Sequence, residues 1–129
     1  MSVAENKALI QRYIDEAWNK GVVDVLDEIY DPSFTGGGYG GVPGLAAAIT
    51  SYRRSFPDLR FTIEEAIGEG ERIAFRWIAR GTHQGDYVGI APTGKPITVT
   101  GITILRIVDG KIIDDRSETN NHTLPEQLE

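Results

Sequence analysis

The 129-residue sequence has no cysteine, only two histidines and no long apolar run, and each of these shortages excludes a class of protein. Without cysteine there is no disulfide framework, no thiol nucleophile and no thiolate zinc site, and two histidines alone make a poor metal cage. The apolar runs are too short to cross a bilayer, and residues 1–7 lack the apolar region of a signal peptide. We therefore expect a cytoplasmic protein with no metal and no membrane partner.

The sequence also has too few positive charges to suit a polyanionic partner. Its net charge is −6 and its isoelectric point lies near 4.9, so a phosphate backbone would be repelled and nucleic-acid binding is not expected. A chain of this length can bury roughly two-thirds of its unfolded surface. We therefore expect one domain over residues 1–129, with a hydrophobic core that needs no covalent staple.

Three helices are predicted in the first half of the chain. Ser2 and Glu5 have the spacing of a capping box, and Gly21 is a plausible C-terminal cap. The first helix has apolar residues at helical spacing, namely Leu9, Ile10, Tyr13, Ile14, Ala17 and Trp18. The second carries Val23, Leu26, Ile29 and Tyr30 before Asp31 and Pro32, and the third carries Leu45, Ala48, Ile49, Tyr52 and Phe56 before Pro57.

The second half is predicted to form four strands. Leu59, Phe61 and Ile63 alternate with polar residues, and longer strands are expected over residues 73–83, 97–108 and 111–120. Asp109-Gly110 is a strong two-residue hairpin signal. Helices that precede an antiparallel run of strands favour an α+β fold, with the three helices covering one face of a curved sheet.

Residues 34–44 form a glycine-rich loop that contains the run 36–41. Such a run is either a flexible connection or a mobile lip over a pocket. No Lys-Ser/Thr pair follows it, so it does not match a phosphate-binding loop.

Several stretches together resemble one family. They are Gly81-Thr82-His83-Gln84-Gly85 with Ala91-Pro92-Thr93-Gly94-Lys95, the hairpin 108–113, Gln127-Leu128, and residues 11–14 with 17–19. On these stretches the chain resembles the SnoaL-like polyketide cyclases of the nuclear-transport-factor-2-like superfamily. The resemblance implies a cone-shaped sheet around an apolar cavity, and an intramolecular aldol closure of a polyketide ester. It also implies an acid/base carboxylate, no metal or cofactor, and homodimers that form through the outer sheet face.

The family's reactive groups carry over only in part. Its acid/base aspartate falls on Asn120 and its usual tryptophan on Arg116. An amide cannot take up a proton near neutral pH, so the neighbouring carboxylates Glu118 and Asp115 stay candidates. Compared with limonene epoxide hydrolases, the chain keeps only Arg76 and has Ile78 and Asn120 at the aspartate positions. Compared with ketosteroid isomerases, it keeps the tyrosine at Tyr13 and has glycine near position 37 in place of the base.

Each candidate side chain has two interpretations. His83 is either the general acid/base or an anchor for the loop that follows it. Arg76 points either into the pocket with Ile78 or toward solvent or a second subunit. Arg116 and Glu118 share the parity of Asn120 and form either a pocket pair or an exposed ladder. Tyr13 is either core or a phenolic donor, and the pocket wall is assigned to Trp18, Tyr30, Phe34, Phe56, Ile78 and Arg116.

Two functions are compatible with these residues. The first is proton-transfer catalysis without a cofactor, as a cyclase, isomerase or hydrolase of a small apolar carbonyl or ester compound. It would use His83, Glu118 or Asp115 as base and Tyr13, Asn120 or Arg76 as oxyanion donors. The second is a non-catalytic module that binds an apolar small molecule or dimerises, having lost the family's aspartate.

Overall fold

The first helix runs into a wider turn that carries Trp18. The computed structural model describes residues 2–129, and its helix α1 spans Val3–Tyr13 with the predicted capping box between Ser2 and Glu5 in place. The chain continues as a π-helical turn over Ile14–Trp18, closed by a 2.9 Å hydrogen bond from the Asn19 N–H to the Ile14 carbonyl. Such π turns widen a helix by one residue and recur at functional sites.

The remaining helices are short except for one. A 3₁₀ turn over Val23–Val25 leads into helix α2, which spans Leu26–Ile29, and helix α3 spans Val42–Ser55. After the sheet, a 3₁₀ turn over Asn121–Thr123 leads into helix α4 over Leu124–Gln127. Within residues 2–129 no helix is long and apolar enough to cross a membrane.

The four strands form one antiparallel sheet in sequence order. Strand β1 spans Arg60–Glu69, β2 spans Arg72–Thr82, β3 spans Pro96–Val108 and β4 spans Lys111–Thr119. The predicted hairpin at Asp109-Gly110 is confirmed, because both residues have the positive φ that such a turn requires, 50° and 75°.

Alternation divides the sheet into a buried inner face and an exposed outer face. On β2 the inner side chains are Ile73, Phe75, Trp77 and Ala79, and on β3 they are the odd-numbered residues 97–107. They pack against the apolar faces of α1, α2 and α3 to form one core. The predicted α+β architecture, with helices on one face of the sheet, is confirmed.

Strand β4 contains a β-bulge that decides which of its side chains face inward. Arg106 pairs with Asp114 and Ile107 pairs with Ile112, so Ile113 is the extra residue. Ile112 is buried, and without the bulge the even-numbered residues after it would also face inward. The bulge reverses this alternation, so Asp115 is the next residue to turn into the interior.

Candidate functional site

A cavity lies between the inner face of the sheet and the helices. Its volume is about 100 Å³, and seven of its sixteen lining residues are aromatic. Phe61 stands between the two tryptophans, with its ring centroid 4.6 Å from Trp18 and 4.9 Å from Trp77. The lining residues are Tyr13, Ile14, Trp18, Tyr39, Tyr52, Leu59, Phe61, Phe75, Trp77, Ala79, Val99, Thr103, Asp115, Ser117, Thr119 and Asn121.

Polar ties hold the aromatic wall in place. The side-chain amide of Asn19 accepts a hydrogen bond from the Phe61 N–H at 2.7 Å and donates one to the Phe61 carbonyl at 3.0 Å. The guanidinium of Arg53 donates to the Trp18 carbonyl at 2.9 Å and to the Leu59 carbonyl at 3.0 Å. The π turn is therefore joined to β1 and α3 through backbone atoms, and the position of the Trp18 ring is fixed.

Asp115 places a carboxylate in this mostly apolar cavity. Its side chain is 4% exposed, and Oδ2 accepts a 2.9 Å hydrogen bond from the hydroxyl of Tyr30. Oδ1 has no hydrogen-bond partner among the described residues, and Asp115 lines the cavity. The pKa of Asp115 is raised to about 6, mainly by burial; the Tyr30 hydrogen bond lowers it, the charge of Asp114 raises it, and the value of about 6 is the net result. Such a group can both take up and release a proton near neutral pH.

A row of hydroxyl groups leads from Trp18 to this carboxylate. The indole N–H of Trp18 donates to the hydroxyl of Tyr13 at 2.8 Å, and the Tyr13 ring meets the Tyr30 ring edge-on at 5.5 Å. Burial, followed by the charge of Asp115, raises the pKa of Tyr13 well above its ordinary range. The phenols therefore stay neutral and act as hydrogen-bond donors and acceptors.

A second polar row runs along the opposite wall. The indole N–H of Trp77 donates to the Thr103 hydroxyl at 2.9 Å, and that hydroxyl shares a 2.7 Å hydrogen bond with Ser117. Ser117 follows Asp115 by two residues on the same face of β4, and both line the cavity. A hydroxyl and a carboxylate are thus presented side by side to a ligand.

Four residues predicted to line the pocket lie on the other side of the sheet. Arg76 and Ile78 share the outer face of β2, where Arg76 is 3.7 Å from Glu64 and its side chain is 57% exposed. Arg116 and Glu118 face outward on β4 because the bulge at residue 113 shifts the alternation. The prediction that these four side chains line the pocket is therefore wrong, and they lie on the outer face of the sheet instead.

His83 and Asn120 also lie outside the cavity. His83 is fully buried, and its Nδ1 accepts a 3.1 Å hydrogen bond from the Thr93 N–H and lies 3.0 Å from the Thr93 hydroxyl. It therefore anchors the loop between β2 and β3, as its structural interpretation predicted. Asn120 follows the end of β4, where its Oδ1 accepts a 2.9 Å hydrogen bond from the Thr100 N–H. Neither residue reaches the space beside Asp115.

The predicted wall residues divide between lining and core. Trp18 lines the cavity, as does Tyr13, which was predicted as core or a phenolic donor, whereas Tyr30, Phe34 and Phe56 are buried behind it. Tyr30 still contributes to the site, because its hydroxyl donates a hydrogen bond to Asp115. Phe61, predicted as wall or core, also lines the cavity, and the chief lining residues that sequence reasoning did not assign are Tyr39, Trp77, Thr103 and Ser117. Trp77 alternates with the arginines of β2 that face outward, and this alternation could have placed it on the inner face. Ser117 lies two residues after Asp115 on the same strand, so the two side chains share a face.

Among the described residues, no three His, Cys, Asp or Glu side chains come together as a metal site. Of residues 2–129, Asp115 is the only carboxylate that lines the cavity, and no Lys, Arg or His of that range lines it. The arrangement can therefore hold a neutral ligand against an aromatic wall and exchange a proton with it at one point.

Comparison with known proteins connects this cavity to one family. The family model described as SnoaL-like polyketide cyclase matches residues 8–128. Aklanonic acid methyl ester cyclase DnrD of Streptomyces peucetius is 30% identical over 116 residues, covering 84% of this chain and 79% of the relative. Aklanonic acid methyl ester cyclase AcmA of Streptomyces galilaeus is 28% identical over 117 residues, covering 85% and 81%.

A solved structure shows the same fold over nearly the whole chain. TsrD from Streptomyces laurentii superposes with a TM-score of 0.89 at 26% identity, covering 99% of this chain and 97% of that one. The predicted nuclear-transport-factor-2-like architecture of the sheet and helices is therefore confirmed.

Proposed function

The chain belongs to the SnoaL-like polyketide cyclase family, and from this premise we propose that its cavity binds a neutral aromatic carbonyl or ester compound whose carbon–hydrogen bond is broken by Asp115. One observation carries the proposal. Asp115 is a buried carboxylate with one oxygen bound by Tyr30 and the other left for a ligand. Buried carboxylates with raised pKa values concentrate at functional sites.

The lining supports the class of compound. Trp18, Phe61 and Trp77 offer flat apolar surfaces that suit a ring system. A ligand carboxylate would place a second negative charge beside Asp115 with no Lys or Arg in the lining to offset it, so a neutral ketone or ester is favoured. The two relatives are named for acting on a methyl ester, which agrees with this preference.

The proposed step is a proton transfer that prepares ring closure. The carboxylate of Asp115 takes a proton from the carbon next to a carbonyl group, and the electron pair moves onto the carbonyl oxygen as an enolate. The enolate carbon then attacks a second carbonyl of the same molecule, forming a carbon–carbon bond and an alkoxide. Asp115 returns its proton to the alkoxide, so the base is regenerated and atoms balance.

The test uses 2-tetralone, which has an acidic carbon–hydrogen bond next to its carbonyl. In D₂O the exchange of these hydrogens is followed by proton NMR with and without the protein. We expect the wild-type chain to accelerate exchange and Asp115→Asn to lose this acceleration by about 10²-fold or more, the usual contribution of a general base. Asp24→Asn, which removes an exposed carboxylate, is the matched control and should exchange like the wild type.

Binding of 2-tetralone without faster exchange would instead support the non-catalytic alternative. Equal exchange by the wild type and Asp115→Asn would remove Asp115 from the chemistry.

We also propose that the outer sheet face pairs with a second copy of the chain. Ile102 and Ile104 on β3 are 51% and 47% exposed, which is unusual for large apolar side chains on one strand. Beside them lie Arg76, Arg116 and Glu118, so a two-fold arrangement could set each arginine against a partner carboxylate.

Light scattering after size exclusion tests the dimer directly. The wild type should have twice the chain mass of 14.2 kDa, and Ile102→Lys should convert it to the monomer without changing its helix and strand content. A wild-type monomer at micromolar concentration would contradict this proposal and leave the cavity proposal standing.

A further inference from the structure

Tyr39 differs from the other tyrosines that line the cavity. The hydroxyl of Tyr13 accepts from Trp18 at 2.8 Å, and that of Tyr52 accepts from the Asn121 amide at 3.3 Å. The hydroxyl of Tyr39 has no hydrogen-bond partner among residues 2–129, although the side chain is half-buried against the core. A phenol in a cavity wall usually finds a partner, so an unpartnered one is available to a ligand.

The glycine-rich segment sets the position of this side chain. Gly37, Gly38 and Gly40 have φ values of 71°, 76° and 77°, in the left-handed region that other residues rarely adopt. A side chain at Gly38 or Gly40 would meet no neighbour, so it is the backbone conformation rather than space that favours glycine there. At Gly37 a Cβ would lie 3.0 Å from the Tyr39 ring, so the ring rests directly on this residue.

Helix α3 packs closely against the backbone of the glycine-rich segment. A methyl group at Gly44, in the first turn of α3, would overlap the carbonyl oxygen of Tyr39. The absence of a side chain at Gly44 therefore permits the close approach that holds Tyr39 over the cavity.

Tyr39 is also electrostatically linked to Asp115. Burial, followed by the charge of Asp115 and then that of Tyr52, raises the pKa of Tyr39 to about 12. The phenol thus stays protonated and can donate a hydrogen bond, and it lines the same cavity as the carboxylate of Asp115, which can accept one. A ligand in this cavity therefore meets a hydrogen-bond donor at Tyr39 and an acceptor at Asp115.

We propose that Tyr39 is a specificity-determining residue whose hydroxyl donates a hydrogen bond to the carbonyl oxygen of a ligand while the adjacent carbon faces Asp115. The inference rests on the proposed function, because it concerns a ligand in the same cavity. The Tyr39 hydroxyl is the group that selects carbonyl compounds over hydrocarbons of the same shape, and the glycine-rich segment holds this hydroxyl in position. Removal of a hydrogen-bond partner penalises only the ligand that used it.

The test compares 2-tetralone with tetralin, which has the same rings and no carbonyl. Both tryptophans of the chain line the cavity, so their two indole N–H signals in nitrogen–proton NMR spectra report its occupancy. For Tyr39→Phe we expect binding of 2-tetralone to weaken about 3- to 10-fold, the usual worth of one hydrogen bond, while tetralin binding is unchanged. Asp24→Asn changes an exposed side chain outside the cavity lining and should alter neither.

A second variant tests the same hydrogen bond without changing a tyrosine. Gly44→Ala should displace the Tyr39 backbone and lower the preference for 2-tetralone over tetralin, even though every tyrosine is retained. Equal binding of 2-tetralone to the wild type and Tyr39→Phe, or equal weakening of both compounds, would overturn the inference and leave the role of Asp115 intact. Failure of both compounds to move the wild-type indole signals would instead overturn the cavity proposal, and this inference with it.

Discussion

Replacement of Asp115 by asparagine should make the protein more stable at neutral pH. The folded state holds this carboxyl with its pKa raised from 3.8 to about 6, mainly because it is buried. A group with a raised acid pKa binds its proton more tightly in the folded than in the unfolded chain. Stability therefore falls as the pH rises through the interval from about 4 to about 6, and stays low above it.

The size of the effect follows from this interval. A pKa raised from 3.8 to about 6 corresponds to about 3 kcal/mol of stability lost once the carboxyl is ionised in the folded state. Asparagine avoids this cost, and its side-chain oxygen can still accept the Tyr30 hydrogen bond. We expect Asp115→Asn to raise the unfolding free energy at pH 7.5 by about 2–3 kcal/mol, which for a chain of this length is roughly 8–10 °C in Tm.

Urea unfolding followed by circular dichroism, repeated from pH 3.5 to pH 8, measures this difference. The two chains should be equally stable near pH 3.5, and the gap should open between pH 4 and pH 6. Asp24→Asn should remain within about 0.5 kcal/mol of the wild type throughout, as exposed substitutions usually do. If the variant were less stable than the wild type at pH 7.5, or if the difference in unfolding free energy did not depend on pH, the claim that the ionised Asp115 carboxylate destabilises the folded protein would be refuted.

Two further substitutions separate the roles of neighbouring side chains. Tyr30→Phe removes the hydrogen bond that favours the charged form of Asp115, so the midpoint of the pH dependence of 2-tetralone exchange should move above pH 6, and an unmoved midpoint would contradict this contact. His83→Ala should cost about 1–3 kcal/mol in urea unfolding, because a fully buried side chain is removed and the Thr93 N–H loses its acceptor, yet leave the exchange rate per folded molecule unchanged. Loss of exchange in a folded His83→Ala chain would return His83 to the mechanism.

Much of the fold could be predicted from local patterns. The capping box at Ser2 and Glu5 and the hairpin at Asp109-Gly110 are short-range signals, and both occur as predicted. Strand limits agree to within a few residues, because alternation is set by the half-buried sheet itself. The π turn before Trp18 was not predicted, since its widening depends on contacts made by Asn19 with β1.

The part of the candidate site that lies on strand β4 was harder to predict, for one identifiable reason. The parity chosen for Arg116, Glu118 and Asn120 is correct for a strand without interruption that starts at the buried Ile112. One bulged residue at position 113 reverses that parity, and no local sequence signal marks it. The carboxylate of the cavity is consequently Asp115, which sequence reasoning had kept as a neighbouring candidate rather than assigned.

The role of Asp115 in proton transfer is tested most directly by the pH profile of 2-tetralone hydrogen exchange, measured with the wild type and with Asp115→Asn. The wild-type rate above the buffer rate should rise with pH as Asp115 ionises and then level off, with a midpoint near 6. Asp115→Asn should show only the buffer-like dependence. A wild-type profile without this midpoint, or the same midpoint in Asp115→Asn, would contradict the assignment of Asp115 as the proton-transferring group of the cavity.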